Sequence, residues 1–218
     1  MRPKTIRLIL LAIILSPFIA LAAPDANKAN ETLLKASSPY EDMVEFALNK
    51  NDAGIAKSLN SAKKQAAAVR DALPAAATAK FEMMLEGLQK TAAAKERYSV
   101  ATSAVEMFRL LIDGLQADNL KVPKEVSLLD YAGFKLKVLA AAPQPDWSAM
   151  REIAGDAATW WAAIKAKVTE KALRDAVNTT VKGVQQAGKL EHLPMLVFAA
   201  QMDLDLVDLL ESYFDRRK

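Results

Sequence analysis

Residues 42–48 read DMVEFAL and residues 130–136 read DYAGFKL, so the pattern D-x-x-x-F-x-L occurs twice, 88 positions apart. In each copy apolar residues recur three and four positions apart, which places them on one face of an α-helix. A second pair follows in the same order, AVEMFRLLIDGL at Ala104–Leu115 and DLDLVDLLESYF at Asp203–Phe214, offset by 99. The growing offset requires insertions in the second half, and the turn Pro143-Gln144-Pro145-Asp146 offers one place for them. Matched order suggests duplication of a helical unit, although alanine-rich amphipathic helices also resemble one another by composition alone. The expected fold is all-α: a helical bundle of two related multi-helix repeats packed together, because neither repeat buries its apolar stripe alone.

Composition agrees. Alanine, leucine, lysine and glutamate abound, glycine occurs only seven times and aromatics make up 6% of the chain, which favours helices over strands. Ser38-Pro39-Tyr40-Glu41 reads as a helix start, with a capping hydroxyl, proline at the first position and glutamate three residues after the cap. The first repeat is therefore placed at 38–118, preceded by a linker at 23–37. In it, Asn51-Asp52 caps a second helix to about Ala72, Pro74 breaks the pattern, and a long alanine-rich stretch runs to about Ala117. A linker at 119–124 leads to the second repeat at 125–218. That repeat divides into helices over 125–142, 147–167 and 169–187, the last ended by Gly188, and a final helix from about Pro194.

Before the linker, residues 1–22 combine Arg2, Lys4 and Arg7 with an apolar run from Leu8 and the small-residue exit Ala20-Leu21-Ala22. These are the three regions of a secretory signal peptide. The run covers about 15 residues where a spanning helix needs about 20, so cleavage near Ala22 and a periplasmic or secreted product are expected, with no stable membrane insertion afterwards. Cleavage removes three of 29 basic residues and none of 26 acidic ones, leaving 26 against 26. The basicity that would suggest nucleic acid thus belongs to the leader, and no nucleic-acid partner is expected. The chain has no cysteine, so disulfides, thiolate metal sites and covalent haem attachment are excluded.

Chemistry-bearing motifs are few. His192 is the only histidine, which removes catalytic triads and multi-histidine metal sites. His192 and Met195 have the spacing that a soft copper ion or non-covalently held haem iron uses, while a polar turn before the last helix explains the same residues. Glu211-Ser212 resembles the glutamate–serine pair of helical lytic transglycosylases in those two residues only, with no further motif in support. Helical projection points Asp203 and Lys135 toward the apolar stripes of their own helices, where unpaired charge is costly. The two are expected to meet as a buried pair, which either fixes helix register or, with Trp160 or Trp161, lines a ligand pocket. In the adjacent tryptophans, about 100° apart on a helix, one ring is expected in the core and the other over a groove or partner surface. The expected role is non-enzymatic: an exported, soluble binding or protein-interaction protein of the cell envelope with no cofactor, its partner a protein or small molecule of unknown identity. The alternative is a periplasmic carrier of a small ligand or of copper or haem, using a pocket between helices.

Overall fold

The structure, a computed structural model, describes residues 25–216. The expected signal peptide lies outside the described residues, as do Arg217 and Lys218. The described residues form eight α-helices: α1 (Ala26–Leu48), α2 (Asp52–Ala72), α3 (Ala75–Ala93), α4 (Arg97–Asp113), α5 (Lys124–Ala140), α6 (Trp147–Ile164), α7 (Lys171–Lys189) and α8 (Leu193–Asp215). There is no strand among the described residues, and none of their helices is long and apolar enough to cross a membrane. An all-α bundle is what composition and periodicity predict.

Both halves use the same neighbour scheme. In the first, α1 packs on α2 and α4, and α3 packs on α4 and only lightly on α2; in the second, α5 packs on α6 and α8, and α7 packs on both α6 and α8. The halves join through α5, which also lies against α4 and α1. Helix starts follow the caps in the sequence: Asn51 accepts from the Gly54 amide at 2.9 Å and Asp146 from the Ala149 amide at 3.0 Å.

Three boundaries differ from expectation. The segment 23–37 is not a linker throughout, because α1 begins at Ala26, capped by Asp25, and carries Pro39 in its interior. Proline there removes one amide from the hydrogen-bond ladder, but Ala29, Leu33 and Ala36 before it are buried. The Asn30 side chain also clamps the Gln116 backbone, donating to its carbonyl and accepting from its amide at 2.9 Å each. Tertiary burial outweighs the local stop signal. The alanine-rich stretch after Pro74 is two helices, not one, reversed at Lys95 with φ 57°. Lys50 (φ 57°) and Glu191 (φ 51°) end α1 and α7 in the same way. At all three turns the next amide reaches back five residues to a carbonyl, as Asn51 does to Phe46 at 2.8 Å, which is the Schellman closure usually given to glycine. Gly188, the expected terminator, lies inside α7.

The core of the first half is one continuous cluster that also takes in Leu128, Tyr131, Phe134 and Val138 of α5 and Leu204 of α8. The second half has two clusters. One contains Ala132, Val181, Leu206 and Val207; the other contains Leu136, Val184, Ala199 and Ala200. Asp203, 2% exposed, sits in sequence register between them on α8, so a carboxyl group interrupts the apolar interior at that level.

α5 and α8 approach closely at Gly133, where an added Cβ would lie 2.6 Å from Leu204 Cδ2 and 3.3 Å from the Ala200 carbonyl oxygen. Gly133→Ala should destabilise the fold by about 1 to 3 kcal/mol, because overpacking exceeds the propensity gain of about 1 kcal/mol. Gly87→Ala and Gly155→Ala, with nothing within 4 Å of the added Cβ, should each stabilise by about 0.5 to 1 kcal/mol. Urea unfolding of the three variants checks both signs.

Candidate functional site

α5 has little face to give to solvent. Ten of its residues, from Val126 to Val138, are buried, so its polar side chains project into the joints with other helices. Lys135 points to α4, where its Nζ donates to Glu106 Oε1 at 2.5 Å. Lys137 points to the junction of α1 and α8, donating to Glu45 and, at 3.0 Å, to Gln201 Oε1. Asp130, two turns earlier on α5, faces the same junction with no cation among the described residues to meet it: the charged groups acting on it are Glu41, Glu211, Asp203 and Asp208.

At that level α1, α5 and α8 separate into an open cleft of about 710 Å³ between the two halves. Its carboxylates are Glu31 and Glu41 from α1, Asp130 from α5, and Glu211 and Asp215 from α8; Lys121 is the cation among the lining residues. Lys121 already pairs with Asp215 at 2.9 Å. Apolar wall is supplied by Leu34, Leu115, Leu120, Val122 and Phe108. Asp130 lines the cleft, largely covered by protein but partly exposed.

Crowding and burial hold protons in this cleft. Burial pushes the Glu41 carboxyl up to about 7 against a hydrogen bond from Ser37 Oγ at 3.0 Å, and Glu211, Asp42 and Asp208 add to the rise. Asp130 is driven well above the usual carboxylate range by burial and then by Glu41 and Glu211. Glu211 is raised by burial and by Asp208. Among the described residues no three His, Asp or Glu side chains converge on a single metal position. The carboxylates come from three different helices around the cleft.

The residues singled out by sequence are placed elsewhere. Lys135 and Asp203 do not form the expected pair: Lys135 is taken by Glu106, and burial raises the Asp203 carboxyl to about 7. Asp203 Oδ1 is buried with no hydrogen-bond partner among the described residues. Projection on a single helix finds that a side chain turns inward but not which neighbour it meets, and α5 has neighbours on several sides. Trp161 is core, 3% exposed, and its indole nitrogen is also buried without a partner among the described residues. Trp160 is partly buried, edge-on to Tyr131 at 6.3 Å, and shares with it the Arg109 guanidinium, 5.1 Å from each ring. None of these four residues lines the cleft. His192 is exposed and its Nδ1 accepts from the Met195 amide at 3.1 Å, which is the work of a helix cap.

The cleft residues were legible one by one but not as a group. Asp130 belongs to the repeated pattern and projects off the apolar stripe; Glu41 reads as a capping-box glutamate; Glu211 reads as half of a two-residue motif. Their meeting depends on how α1, α5 and α8 pack on one another, which no local pattern in the sequence shows.

The folded chain holds the Asp203 proton to about pH 7, against 3.8 for an ordinary aspartate. The unfolded chain releases that proton first, so stability should fall as pH rises through this interval and level off above it. Asp203→Asn should remove this contribution and strand no lysine. Urea-unfolding curves of the two proteins should approach each other near pH 4 and differ by up to about 4 kcal/mol at pH 8, with the variant the more stable. Parallel pH profiles would contradict the assignment.

No family model matches the chain, and comparison with curated proteins and with solved structures found no similar protein.

Proposed function

We propose that this chain is an exported, non-enzymatic binding protein of the cell envelope and that the cleft between α1, α5 and α8 is its ligand site. The observation that carries this is Asp130: a largely covered carboxylate lining an open cleft, acted on by other carboxylates and by no cation among the described residues. Clefts of a few hundred Å³ with apolar walls and a few convergent polar groups suit small ligands. Export is supported by the three-part pattern of residues 1–22. Of the roles weighed from sequence, the small-ligand carrier gains most, with a cleft different from the expected pocket. The copper or haem version gains nothing from His192, whose Nδ1 is engaged in capping. Duplication is part of the same proposal. The matched segments fall on corresponding helices, α1 with α5 and α4 with α8, and the two halves share one neighbour scheme.

Native mass spectrometry of the protein isolated from its own periplasm tests the proposal. The mass should correspond to a chain beginning at Ala23 and should include a small-molecule adduct. Ser212→Trp, which places a large ring on an exposed cleft-lining position of α8, should abolish the adduct and leave the helical circular dichroism unchanged. An intact leader on a cytoplasmic protein would overturn the export assignment. An adduct retained by Ser212→Trp would overturn the cleft.

A further inference from the structure

We infer that the ligand of the cleft is a linear organic polycation, an alkyl chain bearing two or more ammonium groups, held with its charges against Asp130, Glu41 and Glu211. The inference rests on the cleft being the ligand site and goes on to name the chemical class.

Charge comes first. Five carboxylates and one lysine line the cleft, and the lysine is paired with Asp215. Two turns further along α5 the same junction has its own cation, Lys137, which bridges α1 and α8 through Glu45 and Gln201. The junction is therefore neutralised by protein at one end and left anionic at the other, and the anionic end is the one that opens. Shape comes second. Acidic groups from three helices are distributed along walls that also carry Leu34, Leu115, Leu120 and Val122, and no three converge on one point. A compact metal ion needs convergent oxygens; a chain of methylenes between ammonium groups needs carboxylates at intervals with apolar surface between them. Size comes third, because 710 Å³ falls within the range of small-molecule sites.

Protonation competes with such a ligand. Glu41 is faced by Ser37 and Asp42 on α1, by Asp208 and Glu211 on α8 and by Asp130 on α5, while Lys121 and Asp215 pair at the rim. The ligand-free cleft retains protons near neutrality, and an ammonium group favours the ionised carboxylates. Binding releases protons, so affinity rises with pH up to and somewhat beyond 7.

Isothermal titration of the mature chain with spermidine tests this. One site is expected, with affinity rising below pH 7 by about tenfold per pH unit for each proton released and with those protons taken up by buffers of differing ionisation enthalpy. Asp130→Asn should weaken binding about tenfold or more; Glu211→Gln, at the exposed edge, gives a second measurement should Asp130→Asn fail to fold. Glu152→Gln, on the exposed side of α6, should leave affinity unchanged, and 1,6-hexanediol should not bind. Spermidine binding that both cleft variants leave intact would overturn the proposal, as would tighter binding of magnesium or of pentalysine, which would point to a metal ion or a basic protein segment. If spermidine fails to bind while the native adduct is still lost in Ser212→Trp, the ligand class is wrong and the site stands.

Discussion

One helix has to serve both halves of the molecule, and most of what is distinctive in the structure follows from that. α5 contributes Leu128, Tyr131, Phe134 and Val138 to the first core, Val126, Leu129 and Ala132 to the second, and Leu136 to the third. A helix apolar all round is buried, but α5 also carries Asp130, Lys135 and Lys137. With so little solvent face, these charges have to be placed in the joints between helices. Buried charge is tolerated when it is paired and hydrogen-bonded, and the two lysines meet that requirement with glutamates from α4 and α1. Asp130 does not. Its exception makes the cleft chemically distinct from the other joints of α5.

Much of the architecture was legible in the chain because caps and breakers act locally. Asn51, Asp146 and Pro74 mark the helix ends where they stand, whatever the rest of the fold does. The errors lie where distant contacts outweighed a local signal. Pro39 reads as a first turn and is a helix interior because the preceding residues bury against α4 and the Gln116 backbone. Gly188 reads as a stop, yet α7 continues and Glu191 takes the left-handed turn, at a cost of about 1 to 2 kcal/mol for a residue other than glycine. The early part of α1 also supplies Asn27, Asn30 and Leu34 to the cleft wall. Hiding that segment hid part of the cleft wall, and the packing of α1, α5 and α8 that gathers the other acidic residues has no local signal.

Lys135 and Asp203 show how far a helical projection reaches. Both turn inward as their angles require, and the error concerns the partner alone. Asp203 enters the second half between two apolar clusters, at the place where the first half, in the proposed alignment, has the fully buried Ala104. A small apolar residue lets one core run through continuously; a carboxyl group divides it. With its Oδ1 sealed from water and from donors among the described residues, Asp203 is most stable as a neutral acid.

Asp203 and Asp130 are neighbours with opposite options. Each is raised chiefly by burial, but one is closed off inside the second half and the other has water above it. A sealed carboxyl can only hold or lose a proton, and losing it strands a charge. A carboxyl that lines an open cleft has a third choice, because a cation arriving from solvent can replace the proton. The same low-dielectric surroundings that disfavour the bare anion strengthen its attraction for that cation. Glu41 and Glu211 add to the field, and Lys137 is committed to Glu45 and Gln201. In the proposed site, proton and cation therefore contend for one group of oxygens at the α1–α5–α8 junction.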